Sequence, residues 1–580
     1  MIGSAGPALR LGLAESSPSG RRLDLSRPVW LLVSAFLAVL VGLPLAYVFG
    51  TSLRTTQLTP SLANYVAAFT ERDLLLPILI SLVVGLGVGG LSVLVGAPMG
   101  WLVARTDLPG KRVIRNLVLA SFVTPPFLGA FCWTLLAGPN AGLVNAVWKD
   151  ISHSAAPLFN IYSVGGLIFV TALYCFPFVF VLVTNALELI SSDAEEAASG
   201  LGAGPLRTGL TITLPLVLPA IISGFILAFL QALTEFGPPA ILALPAGFHT
   251  MTTRIWALFQ VPPRLEVAAA YSVPMLAVSV VLLGLQKRLL ARRGYATVVG
   301  KSVARRPIRL GRFTLPALAL CYGVLSLSIV LPYFILVRAA VSRAWAQPLT
   351  VANLTLDNFG FALFGYGATV QAIGNTVRLG LLTASVGTVL AVTVAYVVHR
   401  RAIGIAPLLS ALATAPLAVP GIVLAVGLFL AYTRPPLVLY GTLWILFVAY
   451  LTRELPVGFT QTMNTIRSIH VELEEASRIL GATALRSVRD ITVPLARTGV
   501  AATWCFVFIG AIRELSASIL LFTSQSRVIS VVMYDLKEEG KWEVISVLGV
   551  LLLVSTFAIV AVVNRLGAGA AAPQVERWNR

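Results

Sequence analysis

Apolar positions in this chain come in long unbroken runs separated by short polar loops. Six runs lie near 28–50, 76–104, 115–138, 163–190, 213–236 and 266–286. Six more lie near 314–338, 371–399, 406–432, 438–463, 493–522 and 543–564. These runs reach the roughly 20 residues needed to cross a hydrocarbon core about 30 Å thick. The pattern predicts an all-α polytopic membrane protein with about twelve transmembrane helices. The division within 406–463 is the least sharp, because the loop at Arg434-Pro435-Pro436 is very short.

The positions of the basic residues orient these spans. Positive charge collects in short cytoplasmic loops. Arg21, Arg22 and Arg27 place the N-terminus inside, and Arg105, Lys111, Arg112 and Arg115 mark the next inside loop. Nine basic residues and no acidic one occupy 286–312. Arg400, Arg401 and the loop 465–490 follow. With twelve spans every basic cluster falls on one side, and both termini are cytoplasmic. The expected division is a tail at 1–27, a first half at 28–287, a basic linker at 288–313, a second half at 314–565 and a tail at 566–580.

Composition agrees. The 580 residues are 57% hydrophobic and only 11% charged, with a mean hydropathy of +0.89. A soluble domain is about 25% charged. The net charge of +18 belongs to the loops, so nucleic acid is not an expected partner; the lipid bilayer is. Cys132, Cys175, Cys321 and Cys505 each lie in an apolar run without a CxxC pair and read as small buried hydrophobes. His153, His249, His399 and His470 are scattered without ligand spacing, so no bound metal or other cofactor is expected. No cleavable signal peptide is evident.

The chain repeats itself. Glu195–Leu216 reads EEAASGLGAGPLRTGLTITLPL, and Glu474–Leu495, 279 residues later, reads EEASRILGATALRSVRDITVPL. Twelve of the 22 positions are identical without a gap. The same register pairs Pro177 with Pro456, Asn185 with Asn464 and Glu235 with Glu514. Matching apolar helices by chance would align Leu and Val, not Glu, Gly, Asn and Pro. Both copies lie on the cytoplasmic side, which requires an even number of spans between them. Six per half satisfies this, giving a parallel repeat about an axis along the membrane normal.

Each copy has the makings of a short docking helix. Glu195 and Glu196, or Glu474 and Glu475, suit the positive end of the helix dipole. Small residues follow: Ala197, Ala198 and Ser199 in one copy, Ala476 and Ser477 in the other. Gly202 and Gly481 permit a sharp change of direction. Arg207 and Arg486 add one positive charge each. Ile212 and Ile491 then precede Pro215 and Pro494, which mark entry into the next span. A small-residue face flanked by charge suits a groove on another protein.

At these residues the chain resembles the type I ABC importer permeases. The family's signature is Glu-Ala-Ala, Gly four positions after the last Ala, then nine residues and Ile-x-Leu-Pro. Glu196-Ala197-Ala198, Gly202, Ile212 and Leu214-Pro215 match it fully. Glu475-Ala476-Ser477, Gly481, Ile491 and Val493-Pro494 match with Ser for the second Ala and Val for Leu. The resemblance covers about 76–287 and 370–564 and implies a MetI-like permease fold. It also implies that the two loops are coupling helices, each docking on one copy of a homodimeric ATP-binding subunit. The chain has no GxxxxGK[ST] loop, so ATP and Mg would be held by that partner, and this chain would not be an enzyme. An extracytoplasmic substrate-binding protein is the second implied partner, and a bacterial inner membrane the implied location.

Arg293-Gly294-Tyr295-Ala296-Thr297-Val298-Val299-Gly300-Lys301 and Arg513-Glu514-Leu515-Ser516-Ala517-Ser518 look like the fused ferric-iron (Fbp/Sfu/Afu-like) branch. Thiamine, polyamine and phosphonate permeases share much of this layout. An ion-coupled secondary transporter could share twelve spans but would need no twin cytoplasmic loops.

Intramembrane ionisable residues are costly and face a cavity or a partner. Glu235 and Glu514 are therefore candidate lining of the path near its outer end, with Arg513 beside them. The alternative is a structural pairing, for example of Glu514 with Arg513 or with a backbone group. Arg453 and Glu454 are adjacent in span ten, where the first half has Tyr174 and Cys175; the asymmetry could shape one wall of the pore, but a structural pair suits them better. No catalytic cluster recurs at span ends.

Overall fold

The computed structural model describes residues 26–154, 156–189, 193–292, 307–400 and 404–571. The N-terminal arginines 21 and 22, Arg401, the linker stretch 293–301 and the last nine residues lie outside it. Among the described residues the architecture is all helix, with isolated bridges and no strand.

The first half begins with α1 (Ser26–Ser52) and α2 (Arg72–Arg105). A bent pair follows, α3 (Lys111–Val123) and α4 (Pro126–Ala137). Next come α5 (Val164–Leu189), the short α6 (Asp193–Gly200), α7 (Leu214–Thr234) and α8 (Leu265–Arg292). The second half repeats the order with α9 (Gly311–Ala340), α10 (Gly367–His399), and the bent pair α11 (Ala406–Thr414) and α12 (Gly421–Tyr432). It ends with α13 (Leu443–Arg467), the short α14 (Glu472–Ile479), α15 (Val493–Ile512) and α16 (Trp542–Ala571).

Two expected spans are not straight. The run at 115–138 bends by 97° between α3 and α4, and the run at 406–432 bends by 109° before α12. Prolines explain both breaks, since Pro125 and Pro126, or Pro416 and Pro420, remove donors and cannot continue a helix. Each bent pair still carries the chain across. α3 starts beside the inner end of α2, while the N–H of Ile161, just before α5, reaches the carbonyl of Ala137 at the end of α4. Leu439 donates to Tyr432 equivalently in the second half. Among the described residues ten long apolar helices and the two bent pairs, each pair taken as one span, give up to twelve crossings.

The run at 493–522 also ends earlier than expected, while that at 213–236 ends within two residues of expectation, its helix spanning Gly209–Thr234. α7 stops at Thr234 and α15 at Ile512, and short helices Gly237–Leu242 and Ser518–Leu521 follow each stop.

Each half is built on one three-helix unit: α2, α5 and α7 in the first, α10, α13 and α15 in the second. The opening helix of each half then crosses to the other. α1 packs on α8 and on α12, and α9 packs on α16 and on α4. Trp30 of α1 meets Tyr396 of α10, and Tyr333 of α9 hydrogen-bonds Thr124 at 2.6 Å. Phe236, Trp256 and Tyr534 form a shared aromatic cluster with ring centroids 6.0–6.3 Å apart. A single large core therefore runs through both halves.

The α1–α12 crossing depends on Gly427, where an added Cβ would lie 2.5 Å from the backbone oxygen of Pro44. Gly427→Ala should destabilise the chain by about 1–3 kcal/mol, as overpacked cores do. Gly374→Ala in α10, where nothing lies within 4 Å, should be neutral or slightly stabilising. Thermal unfolding of both variants in detergent checks this.

Candidate functional site

The repeated loops fold alike. α6 and α14 occupy equivalent positions, 193–200 and 472–479. Both end in a left-handed glycine, Gly202 and Gly481, each at φ +85°. Beyond the glycine, Ala203 donates to Ala198 and Ala482 to Ser477, closing the helix in a Schellman pattern. Next comes one π-helical turn, Gly209–Thr213 and Val488–Thr492. Pro215 and Pro494 supply its cause. A proline ring crowds the carbonyl four residues back and offers no N–H, so the preceding turn widens. Ile212 and Ile491 are half-buried within these turns.

The outward surface of α14 is exposed at Glu475, Ala476, Arg478, Ile479 and Leu480. In the first copy Ala197, Leu201 and Gly202 are exposed, while the side chains of Glu196 and Ser199 lie outside the described set. Arg207 and Arg486 are exposed, the latter 3.3 Å from Asp490. Ser477, which replaces the second alanine of the motif, accepts a hydrogen bond from Ser487 at 3.2 Å.

The paired glutamates do not act alike, contrary to the sequence reading that groups them as one acidic first turn. Glu475 is exposed, but Glu474 is buried. Glu474 lies 2.9 Å from Arg400, and Glu195 lies 3.6 Å from Arg105.

A second polar site lies within the membrane-spanning region, where the halves meet. A cavity of about 200 Å³ is lined by Glu235, Glu454 and Glu514, with Arg453, Arg513 and Gln231 among them. Arg453 and Glu454 are the eleventh and twelfth residues of the 25-residue α13. The site therefore sits level with the middle of that span, deeper than the outer end expected for Glu235 and Glu514.

Broken helices build it. Glu235 caps the end of α7, and its carbonyl accepts from Thr252 at 2.9 Å. Its carboxylate receives the amide of Gln231. Glu514 follows α15 in the same way, its carbonyl accepting from Ser518 at 3.0 Å and Ser530 at 2.8 Å. The carboxylate of Glu514 accepts from the Ala517 N–H at 2.9 Å and lies 3.9 Å from Arg453. Arg453 also donates to the Val419 carbonyl at the α11–α12 break, at 3.0 Å.

Arg513 does not pair with its neighbour Glu514. It reaches across to the first half and donates to the carbonyls of Phe122 and Val123, at 3.1 and 3.4 Å, where α3 breaks. Glu454 lies against Gly510, where any side chain would collide with its carboxylate. A larger cavity of about 370 Å³ shares Glu454 and Arg513 and extends along α13 past Thr460 and Gln461 toward the loop side. Glu454 and Arg513 thus stand between the two cavities.

Sequence reasoning singles out Glu235, Glu514 and Arg513, and for Arg453 and Glu454 prefers a structural pair to a place in the pore wall. They belong to the same cavity. Tyr174 and Cys175 hold the equivalent places in the first half, and both are buried, so the cavity is asymmetric. Among the described residues no His, Cys, Asp and Glu group is gathered closely enough to hold a metal ion.

Residues 96–295 and 387–569 each match the family described as binding-protein-dependent transport system inner membrane component. The chain is 27% identical over 447 residues to the ferric transport system permease protein FbpB of Actinobacillus pleuropneumoniae. That match covers 76% of this chain and 63% of the relative, so the chain spans just under two thirds of that protein's length. Against the putative ferric transport system permease protein FbpB 1 of Haemophilus influenzae it is 25% identical, covering 81% and 76% of the two chains. Against the Fe(3+)-transport system permease protein FbpB 2 of the same organism it is 24% identical, covering 89% and 94%. With two matched segments that carry the same spans and the same loops, this multi-pass chain belongs to the binding-protein-dependent transport system inner membrane components, as two copies fused in one polypeptide.

Proposed function

We propose that this chain forms the translocation pore of an ATP-driven importer for ferric iron. An extracytoplasmic binding protein delivers the substrate, and a homodimeric ATPase docks on the two coupling helices inside the cell. The N- and C-termini are then both cytoplasmic. The observation that carries the reading is the pair of equivalent loops, α6 and α14 with their glycine caps and π turns, on one side of the membrane. Two identical ATPase subunits need two such docking elements, and a secondary transporter needs none. The substrate class rests on the similarity to ferric transport permeases, which align along both halves.

Alternating access follows from the architecture. ATP binding closes the ATPase dimer and draws α6 and α14 together. The halves rock about their pseudo-two-fold axis, the outer side opens, and hydrolysis resets it. The polar cavity lies between the halves, so rocking changes its walls. Three carboxylates line it beside two guanidinium groups, and carboxylate oxygens suit a passing cation. The arginines hold the empty path shut through backbone carbonyls on both halves.

Uptake of radiolabelled ferric citrate, compared with labelled thiamine, should fall in cells lacking this chain for iron alone. Loss of thiamine uptake instead would leave the pore role standing and reassign the substrate. Charge reversal at the exposed Glu475, as Glu475→Arg, should weaken ATPase docking and lower transport, read by co-purification of the ATPase and by uptake. Glu235→Gln with Glu514→Gln should leave the assembled complex intact and reduce iron uptake about tenfold or more, since charges at such sites act directly on the passing ion. Unchanged uptake in the assembled double variant would show that these carboxylates serve packing alone.

A further inference from the structure

Glu195 and Glu474 hold one position of the repeat and make the same contacts in both copies. The Glu474 side chain is 5% exposed and that of Glu195 14%. Each carboxylate joins three elements. One is its own coupling helix. The second is the inner end of the second span of the same half, through Arg105 in α2 or Arg400 just after α10. The third is the last residue of the π turn that opens the fifth span, where Thr213 and Thr492 each donate at 2.7 Å. The second copy adds Tyr396, whose hydroxyl donates to Glu474 at 3.0 Å, and Arg400 also reaches the Ile469 carbonyl at 3.4 Å.

The backbone alone is a poor transmission at this place. Immediately after each coupling helix stands a glycine at φ +85°, with open space around its α-carbon. Across that joint the backbone is tied by the Ala203–Ala198 or Ala482–Ser477 hydrogen bond, a weaker link than the ladder of a continuous helix. The side-chain clamp bypasses the joint, running from the helix directly to two spans. The π turn serves the clamp. Its wider ring sets Thr213 and Thr492 at the end of the bulge, and both side chains are buried there.

We propose that Glu195 and Glu474 are positioning residues that carry movement of the coupling helices onto the second and fifth spans of each half, bypassing the glycine joints. This inference rests on the ATPase-docking reading. Glu475, one residue on, is exposed and free to meet a partner, so docking and transmission fall to adjacent carboxylates. The two clamps are unequal, the second having more contacts and deeper burial.

The test uses the full chain co-expressed with its ATPase. The four native cysteines are buried, so spin labels can be directed to Pro109→Cys and Ile405→Cys, exposed positions just after α2 and α10. The ATP-driven change in label distance is read beside the ATPase rate. Two variants are compared with the parent: Glu195→Gln with Glu474→Gln, and Thr213→Val with Thr492→Val, which is nearly isosteric and removes only the hydroxyl donors. Both should keep ATP hydrolysis and lose most of the distance change, and Glu474→Gln alone should lose more than Glu195→Gln alone. If the glutamine variant does not assemble, the valine variant decides. A full distance change in the assembled valine variant overturns the inference, as does a parallel fall of hydrolysis and movement, which marks a docking or folding role. A parent chain that recruits no ATPase overturns the docking reading, and this inference with it.

Discussion

A carbonyl released inside hydrocarbon has no water to meet, so every interruption of a spanning helix must be satisfied by the protein. This chain interrupts four crossings, the third and fifth of each half, and brings the interruptions together where the halves meet. Arg513 satisfies the carbonyls of Phe122 and Val123, Arg453 that of Val419, and Thr252, Ser518 and Ser530 those of Glu235 and Glu514. The guanidinium groups brought in for this purpose need counter-charge, which the nearby carboxylates provide. The cavity is polar because the helices are broken there, and the breaks are tolerable because the cavity is polar. Neither feature stands alone.

The same reasoning explains which parts were legible in the sequence. Apolar runs and basic loops report burial in lipid and orientation, so helix number and order could be read directly. The bends could not, because an apolar run looks the same whether its axis is straight or turned by about 100°. The prolines at 125, 126, 416 and 420 were the available signal. The stop of α15 was hidden for a related reason, since the short helix after it is as apolar as the span. The repeated loops were readable because their glycines and prolines encode local backbone geometry that repeats.

The clamp and the cavity escaped the sequence because both are contacts between distant segments. A comparison at an offset of 279 pairs Arg105 with Ala384 and shows nothing. The connection between α4 and α5 carries the extra helix Leu143–Ser152, which the shorter connection between α12 and α13 lacks. Ahead of that point the halves align at 295, as the starts of α4 and α12 at Pro126 and Gly421 show, and Arg105 then falls on Arg400. Arg453 and Glu454 were discounted because neighbours in a helix point in different directions, yet a cavity that wraps one side of α13 can receive both. A residue's neighbours in sequence constrain its direction, while its role is set by what another helix brings opposite.

Symmetry is kept where the chain meets its surroundings in duplicate and given up where it acts once. The short helices α6 and α14, their glycine caps, their π turns and the Glu–Arg–Thr contacts recur in both halves, the second set with Tyr396 added. A two-fold ATPase partner would require this, because unequal docking would convert one closing motion into a shear. The membrane cavity is lined by Arg453, Glu454, Gly510 and Arg513, where the repeat places Tyr174, Cys175, Gln231 and Thr234 at the equivalent positions of the first half. A single substrate on the pseudo-axis can touch both walls at once, so nothing obliges them to match. Fusion of the halves makes that divergence possible. In a homodimer an arginine placed at 513 would appear twice, and two guanidinium groups would face each other across the path. In one chain, Arg513 of the second half instead meets the carbonyls of Phe122 and Val123 in the first, and attraction replaces repulsion between the halves.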